Sequence, residues 1–438
     1  MSDHNARPII AAMRDDTRAW IDGDFRHCWH PFTRQNEWCA PGHEPVVIRE
    51  GRGAWLIDTE GRKYLDGNSS IWTNIHGHCH PKLVEAVCNQ VAKLAHSSFL
   101  GFTHPLAIEL AEALCAFFPP NTLERVFYSD DGSTAIECAL KMALQYRQLI
   151  GQSEKRGFIA FENGYHGDTL GAASIGGVSR FFDRFTGLGH QTHRVRAMDD
   201  LATFDPENIA ACVIEPIIQG VNQMRPWPQG MLRELRTWCD ANDVHLILDE
   251  VMTGFGRTGA MFGCHLEDVV PDFLCLAKGL TGGVMPMAAT LTTGRVYDAF
   301  LGGADRAFYY GHSYTANPLG CAAALASLEI FHTERVLQKL PEKSAAMTAQ
   351  LADLKAAHPL VHDVRQIGMI AGIELRRPDG EPFPIEERFG ERICQIARES
   401  GLLTRPILDT IVLMPPLCVT SDETGKAVAA IQNALEKI

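Results

Sequence analysis

The stretch HLILDEVMTGFGRTGAMFGCHLEDVVPDFLCLAKGLTGG, residues 245–283, decides the fold. It holds two short apolar runs, His245–Leu248 and Phe273–Ala277, and each stops at a charged residue, Asp249 and Lys278. Runs this short, bounded by turn-forming residues, read as buried strands rather than helices. Four further strand candidates lie outward of them: Val126–Tyr128, Phe158–Phe161, Ala211–Ile214 and Ala288–Thr292. Helix-length segments such as Thr134–Leu149 and Met231–Asn242 fall between several of these. Strands alternating with helices imply crossover connections, hence an α/β fold with a mostly parallel sheet covered by helices on both faces.

The remaining chain has a different texture. A helical run, Pro318–His332, precedes a charged helix at Leu337–Leu354, strand-like pieces at Val361–Gln366, Met369–Glu374 and Ile411–Leu413, and a final helix. This predicts a large α/β domain over 71–332 and a smaller α+β domain over 333–438. Residues 1–70, with the hairpin-like pair Ala54–Asp58 and Gly61–Leu65, read as a segment packing with the small domain. Composition agrees with a globular enzyme-sized protein: 438 residues, 46% hydrophobic and 21% charged. A net charge of −13 leaves no basic footprint for nucleic acid or anionic lipid. No apolar stretch is long enough to cross a bilayer, and the opening MSDHNARPIIAAMRDD lacks the apolar core of an export signal. Thirteen cysteines without a C-x-x-C pair argue against a disulfide framework or thiolate zinc and for a reducing cytoplasm.

In an open α/β sheet, ligands bind beyond the carboxyl ends of the strands, so the residues just past each strand are the first candidates for a site. After Val126–Tyr128 comes Ser129-Asp130-Asp131-Gly132-Ser133-Thr134; Thr134 and Glu137 have capping-box spacing, and a helix start there offers N–H groups to a phosphate. After Phe158–Phe161 comes Tyr165-His166-Gly167-Asp168, an aromatic face for a ring. After Ala211–Ile214 comes Glu215-Pro216. Asp249 ends a strand with little water around it and needs a cationic partner. Lys278, similarly placed, is either salt-bridged or a desolvated amine suited to Schiff-base chemistry. A phosphate cradle, an aromatic face, a buried carboxylate and a buried amine are the parts that pyridoxal 5′-phosphate requires. By contrast, His76-Gly77-His78-Cys79-His80 reads as turn and cap rather than a metal site, because Pro81 opens a helix and no carboxylate stands nearby.

The ordered motifs GS at a helix start, YHGD, EP, DEVMTGFGRTG, AKGLTGG and NPLGC resemble the class III (ω-) aminotransferases of the fold-type I pyridoxal-phosphate enzymes. WHPFT at 29–33, DGNSSIWTNIHGHCHP at 66–81, GFTHPLAIELAEAL at 101–114 and LTRPI near the end resemble the members that aminate 8-amino-7-oxononanoate in biotin biosynthesis. An ω-aminotransferase acting on another amine or diamine is the alternative. The resemblance implies that Lys278 is the Schiff-base lysine, Asp249 the partner of the pyridinium nitrogen, and Gly132 and Ser133 the phosphate pair. It implies that Tyr165 stacks on the cofactor ring, with Glu215, Val251 and His312 also at the cofactor. Ser313 falls where the family reaches into a neighbouring subunit's phosphate site, implying a homodimer with shared active sites. Arg405 matches the arginine that holds the substrate's distal carboxylate; Phe32, Trp72, Asp168 and Gly311 match substrate-side residues. Ile71-Trp72, Phe32 and Gly311-His312-Ser313 resemble the lysine-using members rather than those using S-adenosylmethionine.

Overall fold

The computed structural model describes residues 16–438, so the opening stretch 1–15 lies outside the described residues. Its centre is a seven-stranded sheet: β1 (Leu123–Ser129), β2 (Gly157–Phe161), β3 (Thr192–Val195), β4 (Ile209–Ile214), β5 (His245–Asp249), β6 (Phe273–Leu276) and β7 (Ala288–Thr293), in the order β1-β7-β6-β5-β4-β2-β3. β7 runs antiparallel to both β1 and β6, and every other pairing is parallel. Reversing this one strand leaves the carboxyl ends of the other six on a single edge. Every residue of β2, β4, β5 and β6 is buried, as expected for a sheet covered on both faces. β3 has no sequence signal of its own: Thr-His-Arg-Val is short and half polar, and it pairs only with β2 at the sheet edge.

Helix α1 (Gly132–Leu149) starts two residues before the predicted position. Its cap is Asp131, whose carboxylate accepts the Thr134 N–H at 2.9 Å while the Thr134 hydroxyl accepts the Asp131 N–H at 3.0 Å. Glu137 is thereby free for another task and accepts the N–H groups of Gly171 and Ala172 at 2.8 and 3.2 Å.

Three antiparallel strands, Ile48–Arg52, Trp55–Asp58 and Lys63–Asp66, form a second sheet. Its fourth strand is Leu402–Leu403, paired in parallel with Lys63–Asp66 from far along the chain. A third sheet comprises Val361–Ile367, Ile370–Leu375, Thr410–Leu413 and Pro406–Ile407. Among the described residues no helix is long and apolar enough to cross a membrane.

Two buried histidines make this packing sensitive to acid. The rings of Tyr146 and Phe273 flank His245, and burial pushes its pKa down to about 3. His76 bonds Ser327 at 3.0–3.1 Å and is likewise pushed down to about 3 by burial. A depressed histidine stays neutral in the fold but protonates in the unfolded chain below about pH 6.5, so its stabilisation is present above that value and is lost as pH falls toward 3. Chemical denaturation is expected to show wild type losing about 2 kcal/mol relative to His245→Gln as pH falls from 7 to 5. Parallel pH profiles for the two proteins would refute this.

Candidate active site

A cavity of about 1440 Å³ opens at the carboxyl edge of the seven-stranded sheet. Asp249, the last residue of β5, is buried, and its Oδ2 lies 2.7 Å from His166 Nδ1. Its Oδ1 accepts the Val251 N–H at 3.1 Å. Burial opposes a charge on His166, yet the hydrogen bond and negative field of Asp249, with Glu215 behind it, hold its pKa above the ordinary histidine value. His166 thereby braces the Asp249 side chain from behind the cavity. Burial pushes Glu215 up to about 7, with Asp249 adding to the effect and His166 opposing it. Its oxygens accept the N–H groups of Gly220 at 2.9 Å and Tyr165 at 3.1 Å.

Lys278 stands just past the end of β6, in the left-handed backbone region at φ 44°. It makes no ion pair or side-chain hydrogen bond among the described residues, and its Nζ lies 4.9 Å from the centre of the Trp72 ring. Burial lowers its pKa below the usual lysine range, while the charges of Asp249 and Glu215 oppose that fall. Of the two sequence-based alternatives, the salt bridge is absent among the described residues.

The third part of the cavity is the start of α1. A Cβ on Gly132 would lie 2.7 Å from Val251 Cγ1, and one on Gly167, at φ 118°, would lie 2.2 Å from Ser133 Oγ. Neither position admits a side chain, and Gly132 and Ser133 at the start of α1 line the cavity, where the N–H groups of a helix start suit an anion. Ser133 Oγ accepts the Asp168 N–H at 3.1 Å, and the Tyr165 hydroxyl donates to Asp168 Oδ2 at 2.6 Å. Asp168 thus steadies the Tyr165 ring and the α1 start from behind and does not itself line the cavity. Gly311 and Ser313 are exposed and also off the wall, while His312 Nδ1 lies 3.0 Å from Oδ2 of Asp130, a lining residue.

Phe32, Trp72 and Arg405 all line the cavity. Phe32 meets Phe181 edge-on at 5.6 Å, and Phe181 in turn meets Tyr165 at 5.7 Å. Phe181 and Met252 are lining residues that the sequence does not single out; the aromatic-rich run Arg180–Phe185 is its only hint of them. The neighbouring cations Arg376 and Arg388 are paired with glutamates, but the Arg405 guanidinium has no protein partner among the described residues. The sequence HGHCH at 76–80 scatters its imidazoles: His76 to Ser327, His78 to Asp66, His80 to Glu334.

The family model for aminotransferase class-III matches residues 38–435. The chain belongs to the class-III aminotransferases. A relative from Geobacter sulfurreducens named adenosylmethionine-8-amino-7-oxononanoate aminotransferase is 45% identical, the match covering 97% of this chain and 98% of that one. The crystal structure of the enzyme with that name from Methanocaldococcus jannaschii superposes with a TM-score of 0.93 at 40% identity, covering 96% of this chain and 99% of the other. An omega-aminotransferase of Caulobacter vibrioides is 34% identical over 95% of this chain and 98% of its own.

Class-III aminotransferases use pyridoxal 5′-phosphate, and the residues present fit that group. The amine of Lys278 matches its aldehyde, Asp249 its ring nitrogen, the glycine-lined start of α1 its phosphate, and Tyr165 a ring face. Gly167→Ala would place a methyl against Ser133 in a strained backbone region. We expect it to weaken pyridoxal-phosphate retention at least about tenfold, or 1.4 kcal/mol. Titration of the apo-protein with the cofactor measures this, and wild-type affinity would refute the cradle.

Proposed function

We propose that this aminotransferase converts 8-amino-7-oxononanoate to 7,8-diaminononanoate, the amination step of biotin biosynthesis, with lysine or S-adenosylmethionine as amino donor. One observation carries the substrate assignment: Arg405, whose guanidinium is unpaired among the described residues, lines the same cavity as Lys278. A planar cationic fork is suited to a bidentate grip on a carboxylate distal to the reacting carbon. The names of several relatives at 38–45% identity over most of the chain support the same step. Phe32, Ile71-Trp72 and Gly311-His312-Ser313 favour lysine as donor.

The cofactor supplies an aldehyde that condenses with amines and a ring that accepts the electron pair of a breaking C–H bond. Asp249 would hold the ring nitrogen in its protonated form, and His166 keeps the Asp249 side chain in place. With the cofactor bound, Lys278 would hold its aldehyde, and the free amine would be the base that takes the proton from the donor carbon. Its lowered pKa leaves more of the amine unprotonated near neutrality. Tyr165 fixes the ring plane, itself fixed by Asp168. Arg405 would hold the oxo acid by its distal carboxylate, orienting the carbonyl toward the cofactor.

Mixing the pyridoxal form with lysine or with S-adenosylmethionine, and recording which one converts it to the aminated form, tests the donor; failure of both removes the reading. Arg405→Ala should raise KM for 8-amino-7-oxononanoate about a hundredfold, matching the roughly 3 kcal/mol of a charged bidentate contact. The loss should be confined to carboxylate-bearing substrates, and an unchanged KM would refute the assignment. The exposed residues Leu100, Phe102, Tyr309 and Tyr314, with Ser313 among them in sequence, support a homodimer whose subunits complete each other's sites. Sedimentation of the holoenzyme as a monomer would refute that.

A further inference from the structure

Trp72 reaches Lys278 from a loop that has no obvious reason to hold its shape. Ser69, Ser70 and Trp72 all lie in the left-handed region, at φ 46°, 62° and 63°. Non-glycine residues rarely stay there unless surrounding groups dictate it. The dictating groups are two side chains. The buried carboxylate of Asp66 accepts the Ser70 N–H at 2.7 Å and the Asn68 N–H at 3.2 Å. His78 donates from Nε2 to Asp66 Oδ2 at 2.8 Å and accepts at Nδ1 from Asn74 Nδ2 at 2.7 Å. One imidazole therefore ties the two ends of the loop together.

The clasp is seated on backbone that admits nothing larger. A Cβ on Gly51 would lie 2.8 Å from His78 Cβ, and one on Gly283, a few residues past Lys278, would lie 2.2 Å from Asn74 Oδ1. On the loop's inner side, Trp72 Nε1 donates to Asn68 Oδ1 at 2.9 Å, which fixes the ring 4.9 Å from Lys278 Nζ. We infer that Asp66 and His78 are positioning residues for amine transfer, holding the strained loop so that the Trp72 ring covers the Lys278 amine. This rests on Lys278 being the reacting amine.

The test is a double-mutant cycle on the holoenzyme, read by the half-reaction with a primary amine donor. His78→Phe should slow that half-reaction roughly tenfold or more in the wild-type background but less than about twofold in a Trp72→Leu background, since the ring it acts through is gone. A second readout is independent of turnover. A ring over an ammonium favours the charged form, so the pH midpoint for cofactor capture by the apo-protein should fall by about half a unit in His78→Phe. Asp249 and Glu215, which act on Lys278, are not altered by this change, and Arg257, which also acts on it, keeps the facing Asp66 charge in His78→Phe. Equal losses in both backgrounds, or an unmoved midpoint, would overturn the inference while leaving wild-type amine transfer intact. Should His78→Phe not fold, His78→Gln and Asp66→Asn take its place; failure of all three to fold would assign the pair to stability and equally overturn it.

Discussion

Lys278→Ala is expected to lower kcat by at least about ten-thousandfold, or 5.5 kcal/mol. The change removes both the amine that captures the cofactor and the base that moves the substrate proton, so two separate contributions vanish together. Borohydride treatment should no longer fix the cofactor to the chain, and a small primary amine added to the buffer should restore part of the proton transfer. The size of the effect comes from the surroundings. Lys278 has no competing ion pair among the described residues, and burial lowers its pKa, so no other group on the cavity wall stands ready to replace it. Activity within a hundredfold of wild type would exclude Lys278 as the reacting amine.

Asp249→Asn should slow both half-reactions about a thousandfold, near 4 kcal/mol, with the cofactor still bound. Loss of the carboxylate removes the charge that keeps the ring nitrogen protonated. It also removes the main influence raising the pKa of His166, leaving the field of Glu215 alone to oppose burial. Stopped-flow absorbance of the half-reaction checks this; a loss smaller than tenfold would mean that Asp249 does not serve the ring nitrogen.

The sequence carries the sheet and the chemistry at strand ends because both depend on local pattern. His245–Leu248 ending at Asp249 and Phe273–Leu276 followed closely by Lys278 can be read without coordinates: an apolar strand stopped by a charge marks a buried charge. The loop carrying Trp72 cannot be read that way. Its left-handed residues are imposed by Asp66 and His78, and no propensity of Ser-Ser-Ile-Trp anticipates them. The Thr134–Glu137 spacing misleads by two residues because Asp131 competes for the same cap and wins with a reciprocal pair. The motif around Asp168 does not announce that its carboxylate accepts from the Tyr165 hydroxyl, a contact that depends on tertiary packing.

The pairing of Lys63–Asp66 with Leu402–Leu403 has a consequence during synthesis. Until Leu402–Leu403 has been made, the Lys63–Asp66 flank has no strand to pair with, and its backbone groups are open to other pairings. That flank stays uncovered until nearly the whole protein has been translated. Asp66, the hinge of the Trp72 loop, sits on it, so vitamin capture in its finished geometry must wait for the final stretch of chain to emerge.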